Sequence, residues 1–161
     1  MIVVADTSPI NYLVLIGHIE VLTRIYGEVL IPRAVCDELQ DSEAPPEVRA
    51  WLSAPPAWLR ISDTIYPPDP ALDLLDRGEQ NAILLAESIK ADRLIIDDLE
   101  GRREAANRSL PVIGTLGVLA EAARRKLLDL PRALAALQAT NFHAAPELIH
   151  LLLAREASQN K

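Results

Sequence analysis

The chain has 161 residues, half of them hydrophobic, with a formal net charge of −7 and a single cysteine. This length fits one domain with a substantial core. No apolar run is long enough to cross a bilayer or to form the hydrophobic part of a signal peptide, so we expect a cytoplasmic protein without a membrane segment. Cys36 alone excludes an intrachain disulfide and a cysteine-rich zinc site, and its apolar surroundings predict a packing role.

The negative net charge is unfavourable for a protein that binds nucleic acid, because affinity for phosphates comes mainly from Lys and Arg. Two features reduce this objection. Carboxylates clustered around divalent cations would contribute part of the negative charge. The basic residues are also clustered, in segments 102–108 and 124–126.

Short apolar runs alternate with amphipathic helical patterns along the chain. A strand is predicted at 2–6, and Ser8 and Pro9 open the first helix. Further strands are predicted at 28–31, 58–61, 93–96 and 111–113, and further helices at 19–25, from 32, and at 46–53, 79–90, 100–107, 116–126, 131–139 and 146–157. The proline-rich segment 62–70 is predicted to be a loop. This alternation predicts a three-layer α/β/α fold with a mostly parallel sheet of about five strands, in a single domain over 1–157 with a frayed tail at 158–161.

Acidic residues recur where such a sheet places its functional edge. Asp6 ends the first predicted strand, and Asp97 and Asp98 end the fourth. Glu38 lies on the helix after the second strand, and Glu79 begins the helix before the fourth. Right-handed crossovers bring the carboxyl ends of parallel strands to one edge, so these acids are expected to meet there. Oxygen ligands of this kind suit Mg²⁺, which can activate water and stabilise a phosphoryl transition state.

Each acid also has an ordinary structural explanation. An aspartate after a strand often caps the next helix, which applies to Asp6 and to one member of the pair Asp97 and Asp98. Glu79 is well placed to complement a helix dipole, and Glu38 alone could be a solvated residue of an amphipathic helix. The occurrence of all of them at the same edge favours a shared site.

Two other acidic folds fit less well. A phosphotransfer receiver domain would need paired acids after the first strand and a lysine after the fifth, and neither is present. A haloacid-dehalogenase-like phosphatase would need a second aspartate two residues after Asp6, where Ser8 stands.

The ordered motifs resemble the PIN-domain family, especially the stand-alone prokaryotic branch similar to VapC-type toxins. The resemblance covers essentially the whole chain and rests on segments 6–8, 29–39, 78–83, 94–103 and 111–117. It implies an endoribonuclease that uses Mg²⁺ or Mn²⁺, with RNA as substrate, an antitoxin protein that covers the acidic edge, and a homodimer.

The resemblance also implies roles for individual residues. The catalytic acids would be Asp6, Glu38, Glu79 and Asp98, and the metal ligands would come from Asp6, Asp98, Asp97 and Glu79. Thr7 or Ser8 would orient a carboxylate or a water from behind the ligands. Arg102 and Arg103 could hold RNA phosphates, or could be solvated helix charges.

The sequence departs from the family pattern at two positions. The third acid is more often aspartate in the family, and here it is Glu79. Ile96 stands where a hydroxyl commonly precedes the fourth acid, so the choice between Asp97 and Asp98 stays open. The alternative function is therefore a catalytically inactive PIN-like binding or regulatory module. The apolar helix segment 148–153 could serve an interface, although core packing accounts for it equally simply.

Overall fold

Five short parallel strands form one sheet with the order β3-β2-β1-β4-β5. The computed structural model describes residues 1–159. The strands are β1 (Val3–Ala5), β2 (Val29–Pro32), β3 (Leu59–Ser62), β4 (Arg93–Ile95) and β5 (Val112–Ile113). The central strand β1 pairs with β2 through Val4 and Leu30, and with β4 through Val4 and Leu94. All four pairings are parallel, which agrees with the predicted sheet.

Helices cover both faces of this sheet. They are α1 (Thr7–Leu15), α2 (Val21–Tyr26), α3 (Arg33–Leu39), α4 (Pro46–Ser53), α5 (Arg77–Ser88), α6 (Leu99–Asn107), α7 (Thr115–Arg124), α8 (Leu130–Gln138) and α9 (Pro146–Gln159), with a 3₁₀ turn at Pro70–Leu72. Alternate side chains of β1 enter different cores, because successive strand residues point to opposite faces. Val3 and Ala5 pack on one side with α1, α7 and α8, and Val4 packs on the other with α5 and α6. The three-layer α/β/α fold expected from the sequence is therefore confirmed.

Several element boundaries differ from the sequence prediction by one to three residues. Pro32 ends β2 and does not begin a helix, since its fixed φ suits extended backbone as well as a helix start. The last helix includes Ser158 and Gln159, which had been assigned to the tail, and residues 160–161 of that tail lie outside the described residues. Cys36 is buried in the core, as its surroundings predicted.

The strand order places a crevice beside β1. From β1 the chain passes to β2 and β3 on one side, then returns to β4 and β5 on the other. Open α/β sheets bind ligands outside the carboxyl ends of the strands at such a reversal. The ends of β1 and β4 therefore mark the expected site. Within residues 1–159, no helix is both long and apolar enough to cross a membrane.

Candidate functional site

Asp6 follows β1 and occupies the position before α1, but its side chain does not cap that helix. Its backbone N–H donates to the Ile95 carbonyl at 2.9 Å, which ties it to the end of β4. The residue is only 3% exposed, and its Oδ1 is buried without a hydrogen-bond partner in the part of the chain that the structure describes. Helix capping, the ordinary explanation for an aspartate here, does not account for Asp6.

Glu38 is held from two sides. The Thr7 hydroxyl donates to Oε1 at 2.7 Å, and the Gly78 N–H donates to Oε2 at 2.7 Å. A Cβ on Gly78 would lie 2.5 Å from Glu38 Oε1, so a larger residue at this position would displace the Glu38 carboxylate. Glu38 is thus a fixed member of the acidic cluster and not a solvated helix residue. Ser8, the other hydroxyl expected to support the site, makes no side-chain hydrogen bond within the described chain and lines the cavity next to Glu38.

Glu79 lies in the first turn of α5, whose N-cap is Asp76. The Asp76 carboxylate accepts from the Glu79 N–H at 2.8 Å. Within residues 1–159, Glu79 Oε2 is buried without a hydrogen-bond partner. The sequence analysis did not include Asp76 in the site. The signal was present, since an N-cap aspartate followed three residues later by glutamate is a capping-box pattern.

Asp97 and Asp98 turn in different directions after β4. Both Asp97 oxygens accept from Thr115, one from the backbone N–H at 2.7 Å and one from the hydroxyl at 2.6 Å. Asp98 caps α6 by accepting from the Gly101 N–H at 2.8 Å through Oδ2. One member of the pair therefore caps a helix, as expected. Thr115, at the start of α7, is a supporting residue that the sequence analysis did not identify.

The two neighbouring arginines differ in their surroundings. Arg102 is half-buried beside Asp97, and a Cβ on Gly114 would lie 2.6 Å from its Nη1. Within the described residues Arg102 makes no ion pair. Arg103 is exposed and pairs with Glu100 at 2.7 Å. The geometry brings Arg102, and not Arg103, to the acidic cluster.

Burial dominates the electrostatics of these acids. It raises the pKa of Asp6 to about 8, helped by the charges of Asp76, Glu38 and Asp97 and opposed by the Thr7 N–H. Burial, and next the Asp76 side chain, raises the pKa of Glu79 to about 10. Burial also raises the pKa of Asp97 and of Glu38, against the hydrogen bonds that each accepts. In the metal-free chain, burial therefore favours the protonated, uncharged form of Asp6 and Glu79 at neutral pH.

The donor chemistry of the cluster fits a hard divalent cation. In residues 1–159, no three His, Cys, Asp or Glu side chains are arranged as a ready-made metal-ligand group. Mg²⁺ does not require one, because it keeps several waters and is commonly bound through one or two carboxylates. Asp6 Oδ1 and Glu79 Oε2 are two such oxygens, buried and without a donor. His143 lines the same groove as Asp97, but neither His143 nor His150 belongs to a group of three possible metal ligands within residues 1–159.

An apolar groove of about 720 Å³ opens beside the cluster. Asp97 and Arg102 line one part of it, and Phe142, Leu148 and Leu152 line another. In the segment 148–153, Leu148 and Leu151 are exposed by 42% and 46%. The rest of that segment packs against the core, apart from His150.

Comparison with known proteins gives one match. A family model described as PIN domain matches residues 2–158. No curated protein and no solved structure matches the chain.

Proposed function

The chain belongs to the PIN-domain family, whose members are generally nucleases, and we propose that it is an endoribonuclease dependent on Mg²⁺ or Mn²⁺. One observation carries the proposal. Asp6 and Glu79 each present a buried carboxylate oxygen that no group in the described chain satisfies. Leaving such oxygens unpaired is costly, and a divalent cation would satisfy both.

Asp6 and Glu79 would hold the ion. Asp98 is the third candidate ligand, since one of its oxygens accepts no hydrogen bond, whereas both oxygens of Asp97 accept from the same threonine. When bound, the ion would lower the pKa of a water molecule and offset charge on the phosphodiester. Glu38 and Asp97 would keep the site acidic and fix its shape.

The other residues of the site would orient its acidic side chains or bind the substrate. Asp76 holds the first turn of α5 and thereby orients Glu79. Thr7 orients Glu38. The Arg102 guanidinium lies next to Asp97 and has no ion pair within residues 1–159, and it would donate to a non-bridging oxygen of the bound phosphodiester. We assign Arg103 a minor role, because its guanidinium is paired at the surface.

The test is cleavage of single-stranded RNA in the presence of Mg²⁺ or Mn²⁺. We expect cleavage by the wild type, loss of cleavage with EDTA, and loss of cleavage in Asp6→Asn. Asp73→Asn is the matched control, because Asp73 is an exposed aspartate that accepts no side-chain hydrogen bond in the described chain. Cleavage that survives both EDTA and Asp6→Asn contradicts the mechanism. Absence of both cleavage and metal binding by calorimetry favours the inactive binding-module alternative.

On the family resemblance we also propose that the protein is the toxin of a toxin–antitoxin pair and forms a homodimer. The exposed Leu148 and Leu151 and the apolar groove beside Asp97 support a protein partner at this edge. Co-expression with the product of a neighbouring small open reading frame should give a stable complex with suppressed cleavage. Light scattering of the purified chain tests the dimer, and a monomer at all concentrations contradicts it.

A further inference from the structure

A second cleft lies on the other flank of the acidic cluster, at the carboxyl ends of β2 and β3. It has a volume of about 320 Å³ and is lined by Arg33, Arg77, Asp63, Thr64, Tyr66 and Asn81. Arg33 directly follows β2, and Asp63 directly follows β3. Arg77 stands between Asp76, which accepts from the Glu79 backbone N–H, and Gly78, which donates to the Glu38 carboxylate. The cleft therefore adjoins the site.

Arginines occupy the first position of both helices that bear the site's glutamates. Arg33 begins α3, which carries Glu38, and Arg77 begins α5, which carries Glu79. A cation at a helix N-terminus is unfavourable, because that end of the helix dipole is already positive. Neither position is explained by helix stability. Together the arginines make a local positive region in a chain of net charge −7.

These arginines retain free hydrogen-bond donors. Arg77 is exposed, and its side chain makes no ion pair or hydrogen bond within residues 1–159. Arg33 donates through Nε to Asp63 at 2.7 Å and has a weak contact with the Cys36 sulfur at 3.7 Å. The pair with Asp63 is exposed on both sides, by 47% and 72%, so it holds Arg33 only loosely. Both guanidinium groups can therefore reach an anion in the cleft.

The positions of the basic residues along the edge of the sheet indicate the line that a bound RNA strand would follow. The cleft lies at the β2–β3 end of the carboxyl edge, and Arg102 lies near Gly114, at the end of β5. From β2 to β5 is three strand spacings, about 14 Å. The cluster of Asp6 and Glu79 lies between these two basic positions.

We propose that the Arg33–Arg77 cleft binds a backbone phosphate of the RNA that flanks the phosphate held at the acidic cluster. The inference depends on the proposed function, since it assigns a second contact to the same substrate. The strand would cross the edge of the sheet from Arg102 to Arg77. The lining also includes the apolar side chains of Ala34 and Ile65. A single-stranded backbone suits the cleft, because its two arginines outnumber its one acid and its aromatic ring, Tyr66, is anchored by its hydroxyl to Ser88.

Asp63 allows a test in which two substitutions in the cleft should have opposite effects on RNA binding. Its carboxylate would repel a phosphate in the cleft, and it forms an ion pair with Arg33 that competes with phosphate binding. Asp63→Asn should strengthen RNA binding, and Arg77→Ala should weaken it. Burial raises the pKa of Glu38, and the charge of Arg77 opposes that rise only in part. If Arg77 served only to balance the acidic cluster in this way, then Asp63→Asn would have no effect on RNA binding.

The experiment measures binding of fluorescein-labelled oligouridylate by anisotropy, with Mg²⁺ present and over a range of KCl concentrations. All variants are made in the full-length Asp6→Asn protein, which is not expected to cleave the probe. Arg77→Ala and Arg33→Ala should each raise Kd by roughly three- to tenfold and reduce the slope of log Kd against log [KCl] by about 0.7. Asp63→Asn should lower Kd by roughly two- to fivefold. Arg132→Ala, at an exposed position of α8, should change neither quantity.

The outcomes separate this inference from the proposed function. Unchanged Kd and slope in Arg77→Ala and Asp63→Asn, with weaker binding in Arg102→Ala, overturn the cleft as a subsite and leave the nuclease proposal intact. Wild-type protein that binds RNA but never cleaves it overturns the nuclease proposal, while the variant slopes still decide the subsite. Absence of RNA binding at every salt concentration overturns both. Circular dichroism of each variant confirms that it is folded before binding is measured.

Discussion

Replacing Asp6 by asparagine should make the metal-free protein more stable. Burial raises the pKa of Asp6 from 3.8 to about 8, so the folded chain retains a proton that the unfolded chain has lost at neutral pH. At pH 7 this difference corresponds to about 4 kcal/mol of lost stability. Asparagine would restore this stability, but its buried amide would lack hydrogen-bond partners, which costs about 1–3 kcal/mol. The net increase is about 1–3 kcal/mol, or on the order of 5 °C in Tm for a domain of this size.

The direction of the Asp6 pKa shift determines how the free energy of unfolding depends on pH. The folded state binds more protons than the unfolded state between the two pKa values of Asp6, 3.8 and about 8. The free energy of unfolding of the wild type therefore falls as pH rises through this window. Asparagine does not titrate, so the stability of Asp6→Asn relative to the wild type should be lowest near pH 4, where the cost of the buried amide outweighs the gain. It should rise up to about pH 8 and stay constant above it.

Urea denaturation followed by circular dichroism, in EDTA and at several pH values, measures this advantage. Asp73→Asn is the control for removal of an exposed carboxylate. Mg²⁺ or Mn²⁺ at a hundredfold excess over its Kd should stabilise the wild type by about 2.7 kcal/mol and Asp6→Asn by much less. An advantage that does not change between pH 5 and pH 8, or a less stable asparagine variant at every pH, refutes the reasoning from burial.

Three further predictions concern the groups that hold the acids and the fold. Gly78→Ala should abolish RNA cleavage, because the new Cβ would lie 2.5 Å from the Glu38 carboxylate. In Gly117→Ala the new Cβ would lie 2.5 Å from the apolar side chain of Ile113. This control variant should have a lower Tm but the same activity per folded molecule. Thr115→Val should lower stability by about 1–3 kcal/mol and reduce cleavage, and Thr115→Ser should retain both; equal defects in the two variants contradict a role for the hydroxyl. Arg108→Ala should lower the free energy of unfolding by about 1–3 kcal/mol without changing kcat. The reason is that the largely buried Arg108 guanidinium pairs with three carboxylates. Arg60→Ala, which breaks one exposed ion pair, should lower the free energy of unfolding by less than about 1 kcal/mol.

The alternation of elements was sufficient to predict the sheet and the edge at which these carboxylates meet. Asp6 and the pair Asp97 and Asp98 follow β1 and β4, and adjacent parallel strands necessarily bring their carboxyl ends together. Sequence could not decide which member of the pair faces inward. That choice depends on Thr115, 18 residues further along the chain, whose two donors hold Asp97.

Asp76 was missed for a related reason. Its local pattern indicates a helix cap, and it is one. Its charge also raises the pKa of Asp6, because the N-terminus of α5 points into the crevice. A capping residue and a site residue look the same in the sequence when the direction in which the helix packs is unknown. Ile96 illustrates the opposite case: it lacks the hydroxyl found in the family, but it is fully buried and packs in the core.

The distribution of backbone donors separates the acids into two groups. N–H groups at the starts of α5, α6 and α7 donate to Glu38, Asp98 and Asp97 respectively. Three positive helix ends thus stabilise three of the carboxylates. Asp6 and Glu79 retain a buried oxygen that no such donor reaches. Because these two oxygens have no donor within residues 1–159, they are the ones that the proposed divalent cation would satisfy.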